Sequence, residues 1–138
     1  MSPIPITHHQ FTQRLTALCV ESKAGWPTKR SDRLILMKSA ILTLTPDRVY
    51  TEREINDALQ YWLFEVGSSL SLDHVVLRRY LVDDGFLSRE SNGSAYRVHS
   101  GYQKWATFEP AVETTDVLLL IHAAAAELAR KKQAYQAR

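Results

Sequence analysis

Apolar residues recur at helical spacing through most of this chain and change once to a hairpin-like pattern, between residues 86 and 98. Residues 11–20 carry Phe11, Leu15 and Leu18 on one stripe, which predicts a helix ending near Gly25. Trp26-Pro27 breaks the chain, and Ser31 reads as the N-cap of a second helix. Leu34, Met37, Ile41 and Leu44 lie on one face of that helix, Ile35 and Leu42 widen the face, and Pro46 closes it. Arg48-Val49-Tyr50 is short and β-prone. Thr51-Glu52-Arg53-Glu54 is a capping box, in which the Thr51 and Glu54 side chains each accept from a backbone N–H left free at the helix start. Ile55, Ala58, Leu59, Trp62, Leu63 and Val66 follow at helical spacing until Gly67.

A fourth helix starts at Ser71 or Asp73, turns Leu77 and Leu81 inward and leaves Val76, Arg79 and Tyr80 nearer the outside. Gly85 suits the left-handed residue past its end. Asn92-Gly93 predicts a hairpin with a two-residue type I′ turn, and counting outward pairs Arg89 with Tyr96 and Leu87 with Val98. Tyr102, Trp105 and Phe108 lie on the body of the domain, ahead of Pro110. A last helix starts at about Thr115; it is apolar all round from Val117 through Leu120 to Ile121 and later turns polar at Arg130, Lys131 and Lys132.

Helix, helix, short strand, helix, helix and hairpin is the order of a winged helix-turn-helix, an α+β fold. The expected organisation is one domain with a winged-helix core over about residues 26–100. Terminal helices at about 7–24 and 115–136 pack on it or form a dimer interface. Specific residues within that core are shared with a family. The run Trp26-Pro27-Thr28-Lys29-Arg30-Ser31-Asp32-Arg33-Leu34, the start Val49-Tyr50-Thr51-Glu52 with Glu54-Ile55-Asn56, and Leu77-Arg78-Arg79 with Leu81-Val82-Asp83 and Gly85 come in order. With Arg89 and Gly93-Ser94-Ala95-Tyr96, the stretch over roughly residues 26–98 resembles the bacterial domain-of-unknown-function family numbered 2087. Members often sit beside a regulator-type helix-turn-helix domain, so the resemblance implies transcriptional regulation and brings no catalytic residue or cofactor. Two features depart from the pattern: the turn before the fourth helix is longer by residues 64–70, and a single helix is expected upstream instead of a separate DNA-binding domain.

Charge and composition limit the partners. With 17 basic against 15 acidic residues over 138 positions, the net charge of +2 does not by itself demand an anionic partner, so any basic surface is local. The segment from Trp26 to Tyr50 is basic, and Lys29, Arg30 and Arg33 at a helix entry are candidate phosphate contacts. The fourth helix offers Arg78 and Arg79 against Asp73, Asp83 and Asp84, so an arginine there can equally pair with a carboxylate and fix the helix on its domain. In the hairpin, Arg97 and Arg89 are candidates to reach a DNA minor groove, although Arg89 stands opposite Tyr96, on which its guanidinium can equally stack. Double-stranded DNA is therefore one expected partner, and the expected protein is a DNA-binding transcriptional regulator or an accessory of one.

The alternative is a protein-interaction module without DNA binding, using Val76 and Tyr80 on the fourth helix. Val117, Leu120 and Ile121, with the Phe11 stripe, are candidates for a homodimer interface or for covering the same monomer. His8, His9, His74, His99 and His122 have no metal-ligand spacing, and no nucleophile–base pattern or phosphate loop stands out, so no metal, cofactor or enzyme activity is expected. The lone Cys19 excludes an internal disulfide and reads as a small core residue, with redox sensing as the alternative. No signal or membrane-length apolar run is seen, so a cytoplasmic protein is expected.

Overall fold

Among the described residues, four of the five α-helices begin at a residue whose side chain caps the first turn, and these caps set the element boundaries. The computed structural model describes residues 2–137. Strand β1 (Ile4–Ile6) leads into α1 (His8–Thr16), which starts with a capping box between Thr7 and Gln10. Helix α2 (Arg30–Leu42) is followed by α3 (Glu52–Glu65), whose Thr51–Glu54 capping box is the expected one. In that box the Thr51 N–H holds the Glu54 carboxyl below its ordinary range, with help from Arg48. Asp73 caps α4 (His74–Asp83), strands β2 (Leu87–Arg89) and β3 (Tyr96–Val98) form the hairpin, β4 (Ala106–Phe108) follows, and Asp116 caps α5 (Val117–Gln136). The fold is α+β.

Helix α2 is the centre of the molecule: Asp32 and every residue from Leu34 to Ile41 are buried. One hydrophobic cluster joins it to Phe11 and Leu15 of α1, Ile55, Leu59 and Trp62 of α3, Leu77 and Leu81 of α4, Tyr96 of the hairpin and Ile121 of α5. Asp32 is tolerated there because Arg14 of α1 clasps its two oxygens, each at 3.1 Å. Leu87 pairs with Val98 and Arg89 with Tyr96, the register counted from the sequence. Tyr50 joins this hairpin through a two-way backbone bridge to Tyr96, at 2.8 and 2.9 Å.

Several expectations change. The N-cap of α2 is Lys29, not Ser31, and its side chain makes no capping bond. Helix α1 ends in a widened π turn at Ala17–Glu21 and does not reach Gly25. At this turn the Ser69 hydroxyl donates a shared hydrogen bond to the Leu18 and Cys19 carbonyls at 3.2 and 3.4 Å. The additional residues before α4 thus dock the N-terminal helix. The hairpin turn is centred on Ser91-Asn92, because the Gly93 N–H donates to the Glu90 carbonyl at 2.8 Å and, of the two expected positive-φ residues, only Gly93 has one. This is a longer loop closed by a left-handed glycine instead of a type I′ turn.

The β1–β4 pair was not expected. It is parallel, with Ile4 opposite Ala106 and Ile6 opposite Phe108, and the two strands come from distant parts of the chain. Pro5, which has no N–H to donate, is tolerated in so short a strand. Val117 and Ile121, expected as interface candidates, are core residues that tie α5 to α1, whereas Leu120 is half-buried and Leu119 is the exposed member of the run. Beyond Leu128 every described residue of α5 is exposed. Among the described residues no helix is long and apolar enough to cross a membrane, and no three metal-ligating side chains converge.

Candidate nucleic-acid interface

Between α4 and the hairpin runs a groove of about 240 Å³ lined by Arg78, Arg79 and Arg89 with Val75, Val82, Asp83 and Tyr96. The three arginines have different roles. Arg78 donates to Asn56 Oδ1 at 2.6 Å and to Glu52 Oε1 at 3.4 Å, and its guanidinium lies 5.5 Å from the centre of the Tyr96 ring. With only 18% of its side chain exposed, it bolts α4 to α3 and to the hairpin. Arg79 and Arg89 are exposed and make no ion pair among the described residues.

The expected stack of Arg89 on Tyr96 is taken by Arg78. Arg89 does share the Tyr96 face of the hairpin, as directly opposed residues must. Its guanidinium runs instead toward the turn, where a side chain at Gly93 would come within 2.6 Å of Nη2. Arg97 pairs with Ser88 and so projects from the opposite face. It too is exposed and without an ion pair among the described residues, but the groove does not include it.

The basic entry of α2 is largely committed to structure. Arg30 clasps Asp84 at 3.0 and 3.1 Å and lies over Trp105, joining the start of α2 to the end of α4. Arg33 Nε donates to the Pro27 carbonyl at 2.6 Å and holds the Trp26-Pro27 break. Lys29 alone of the three stands exposed without an ion pair among the described residues. On α4, Tyr80 is half-buried and stacks on Trp26 with ring centres 5.5 Å apart, and Val76 is half-buried. Both therefore contribute less free surface than their helical positions imply.

Chemically, Arg79 and Arg89 present planar, permanently charged donors suited to phosphate or carboxylate oxygens. Cys19 is a core residue, and burial pushes its thiol up to about 12, which leaves almost no thiolate at neutral pH. The family model described as an uncharacterized protein conserved in bacteria (DUF2087) matches residues 24–98. The chain belongs to the DUF2087 family. Within the DUF2087 region lie α2, α3, α4, the hairpin and the whole α4–hairpin groove, whereas β1, α1, β4 and α5 lie outside it. Neither the curated proteins nor the solved structures contain a match to the chain.

Proposed function

We propose that this DUF2087 chain is a winged-helix nucleic-acid-binding protein without catalytic activity, a DNA-binding transcriptional regulator or an accessory of one, acting in the cytoplasm. In this reading α4 is the recognition helix and the β2–β3 hairpin, bridged by Tyr50, is the wing. The observation that carries it is that Arg79 and Arg89 stand free on the two sides of one groove between helix and hairpin. Arg97 on the other hairpin face and Lys29 at the α2 entry are the remaining open cations among the residues proposed from sequence. Arg30, Arg33 and Arg78 serve as positioning residues.

Duplex DNA affinity measured against salt tests this directly. Each phosphate contact contributes about 0.9 to the slope of log affinity on log salt, so Arg79→Ala with Arg89→Ala should flatten it by about 2. Arg97→Ala should remove about 1 more. Arg33→Ala should leave the slope where it is. Absence of duplex binding at low salt overturns the reading.

A second reading is a protein-interaction module without DNA binding, and the homodimer proposed alongside either reading is favoured by a different surface. Phe64, the residue before Glu65 on α3, is 79% exposed, and Leu119, one turn before His122 on α5, is 66% exposed; Glu65 and His122 themselves meet at 2.7 Å. Large apolar side chains this exposed on neighbouring helices suit a self-complementary contact. Sedimentation velocity should report a dimer that Phe64→Glu converts to monomer. A wild-type monomer at tens of micromolar chain would remove the homodimer.

A further inference from the structure

Lys38 lies in the middle of the most buried helix of the chain, with 2% of its side chain exposed. An ammonium in such surroundings is costly to desolvate, and it persists only against good partners. Its Nζ donates to Tyr102 Oη at 2.8 Å and to Glu113 Oε1 at 2.6 Å, and it lies 4.7 Å from the centre of the Tyr102 ring. If filling the core were the only requirement, a methionine of similar volume would meet it without that desolvation cost.

The ammonium lines a cavity of about 470 Å³, larger than the α4–hairpin groove. Ile41, Leu44 and Val98 form an apolar side, while Lys38 and Tyr102 supply buried polar groups. Glu113 also lines the cavity, but its side chain is 53% exposed and rides on the short turn Pro110–Thr114. The carboxylate that neutralises Lys38 therefore comes from a residue that can leave toward solvent. The ammonium cannot follow it. Apolar walls with a few convergent polar groups are the usual form of a small-molecule site, and an ammonium beside a phenol selects a carboxylate head. The Tyr102 hydroxyl accepts from Lys38 and keeps its own proton to donate.

We propose that this cavity binds a small apolar carboxylic acid, whose carboxylate replaces that of Glu113 on Lys38 Nζ and is held by Tyr102 Oη. Glu113 is the chain's own competitor for the site. The cavity is distinct from the α4–hairpin groove, and acid binding stands or falls without DNA. Its occupant would lie against Val98, the residue after Arg97 in β3.

The test is an NMR titration of the full chain with octanoate and with phenylbutyrate, using octanamide as the uncharged control. Saturable shifts confined to residues around Lys38, Val98 and Tyr102 are expected, with octanamide weaker by about tenfold or more. Lys38→Met should fold and lose the acid. Glu113→Gln should bind octanoate about tenfold tighter, and octanoate, but not octanamide, should recover the thermal stability that this variant loses. Absence of localised shifts with both acids, equal binding of octanamide, or wild-type affinity in Lys38→Met would overturn the proposal and leave Lys38–Glu113 as a structural pair. Should Lys38→Met fail to fold, the Glu113→Gln arm decides, and an affinity no tighter than wild type rejects it.

Discussion

Replacing Tyr96 by alanine should cost about 3–5 kcal/mol, the range for deleting a fully buried aromatic side chain. Tyr96 is 1% exposed, and three elements converge on it. Its backbone bridges Tyr50, its cross-strand partner is Arg89, and its ring receives the Arg78 guanidinium that also reaches Asn56 and Glu52 on α3. The ring is thus the platform on which α3, α4 and the hairpin are aligned. Denaturant unfolding should show the loss, and amide exchange over residues 87–98 should accelerate beyond the global change. Tyr96→Phe keeps the ring and should retain most of the stability. A loss in Tyr96→Ala below about 1.5 kcal/mol would mean that the hairpin is held chiefly by its backbone.

Gly85→Ala is the second large effect, at about 3 kcal/mol. Gly85 ends α4 with φ +81°, a left-handed conformation that costs a residue with a Cβ about 1–2 kcal/mol. The added Cβ would also meet backbone, the Gly101 carbonyl carbon at 2.7 Å and the Tyr102 nitrogen at 2.8 Å. Backbone has no rotamer by which to withdraw, so the whole 101–104 turn must shift, and with it the Tyr102 ring that stacks on Phe86 at 4.6 Å. Thermal unfolding should fall by about 10 °C. Gly101→Ala provides the contrast. Its nearest obstacle is the ring of exposed His99 at 2.8 Å, a side chain that can swing away, so its cost should be the smaller of the two. Equal losses in both variants would refute the backbone-collision account.

The features legible in the sequence are those decided within a few residues. The Thr51–Glu54 box, the left-handed Gly85, the Leu87–Val98 register and the family resemblance over 26–98 against a matched 24–98 all belong to this class. The Thr7–Gln10 box was legible by the same rule and predicts the start of α1 just as well. Lys38 also left a signal, a charged residue four positions after Leu34 and three before Ile41, inside an apolar stripe. Read with its basic neighbours it looks like part of a solvated face. Its burial follows from β4 and the 110–114 turn closing over α2, which no local pattern announces.

The arginines show the same division most sharply. From Lys29 to Arg97 the sequence presents seven candidate cations, Arg89 among them, but a guanidinium is free only when no distant carboxylate, carbonyl or ring reaches it first. Arg30 meets Asp84 across 54 positions and Arg78 meets Asn56 across 22, whereas Arg79, one residue along the same helix, meets no carboxylate among the described residues. By itself, then, the sequence determined the helices of the central region, the hairpin and its register, and the family. Tertiary structure alone decided which cations remain available to a partner, which of the apolar Val117–Ile121 run is core, and that a lysine lies beneath a cavity. Caps and periodicities are settled by neighbours along the chain, while pairing and burial are settled by competition among residues that only folding brings together.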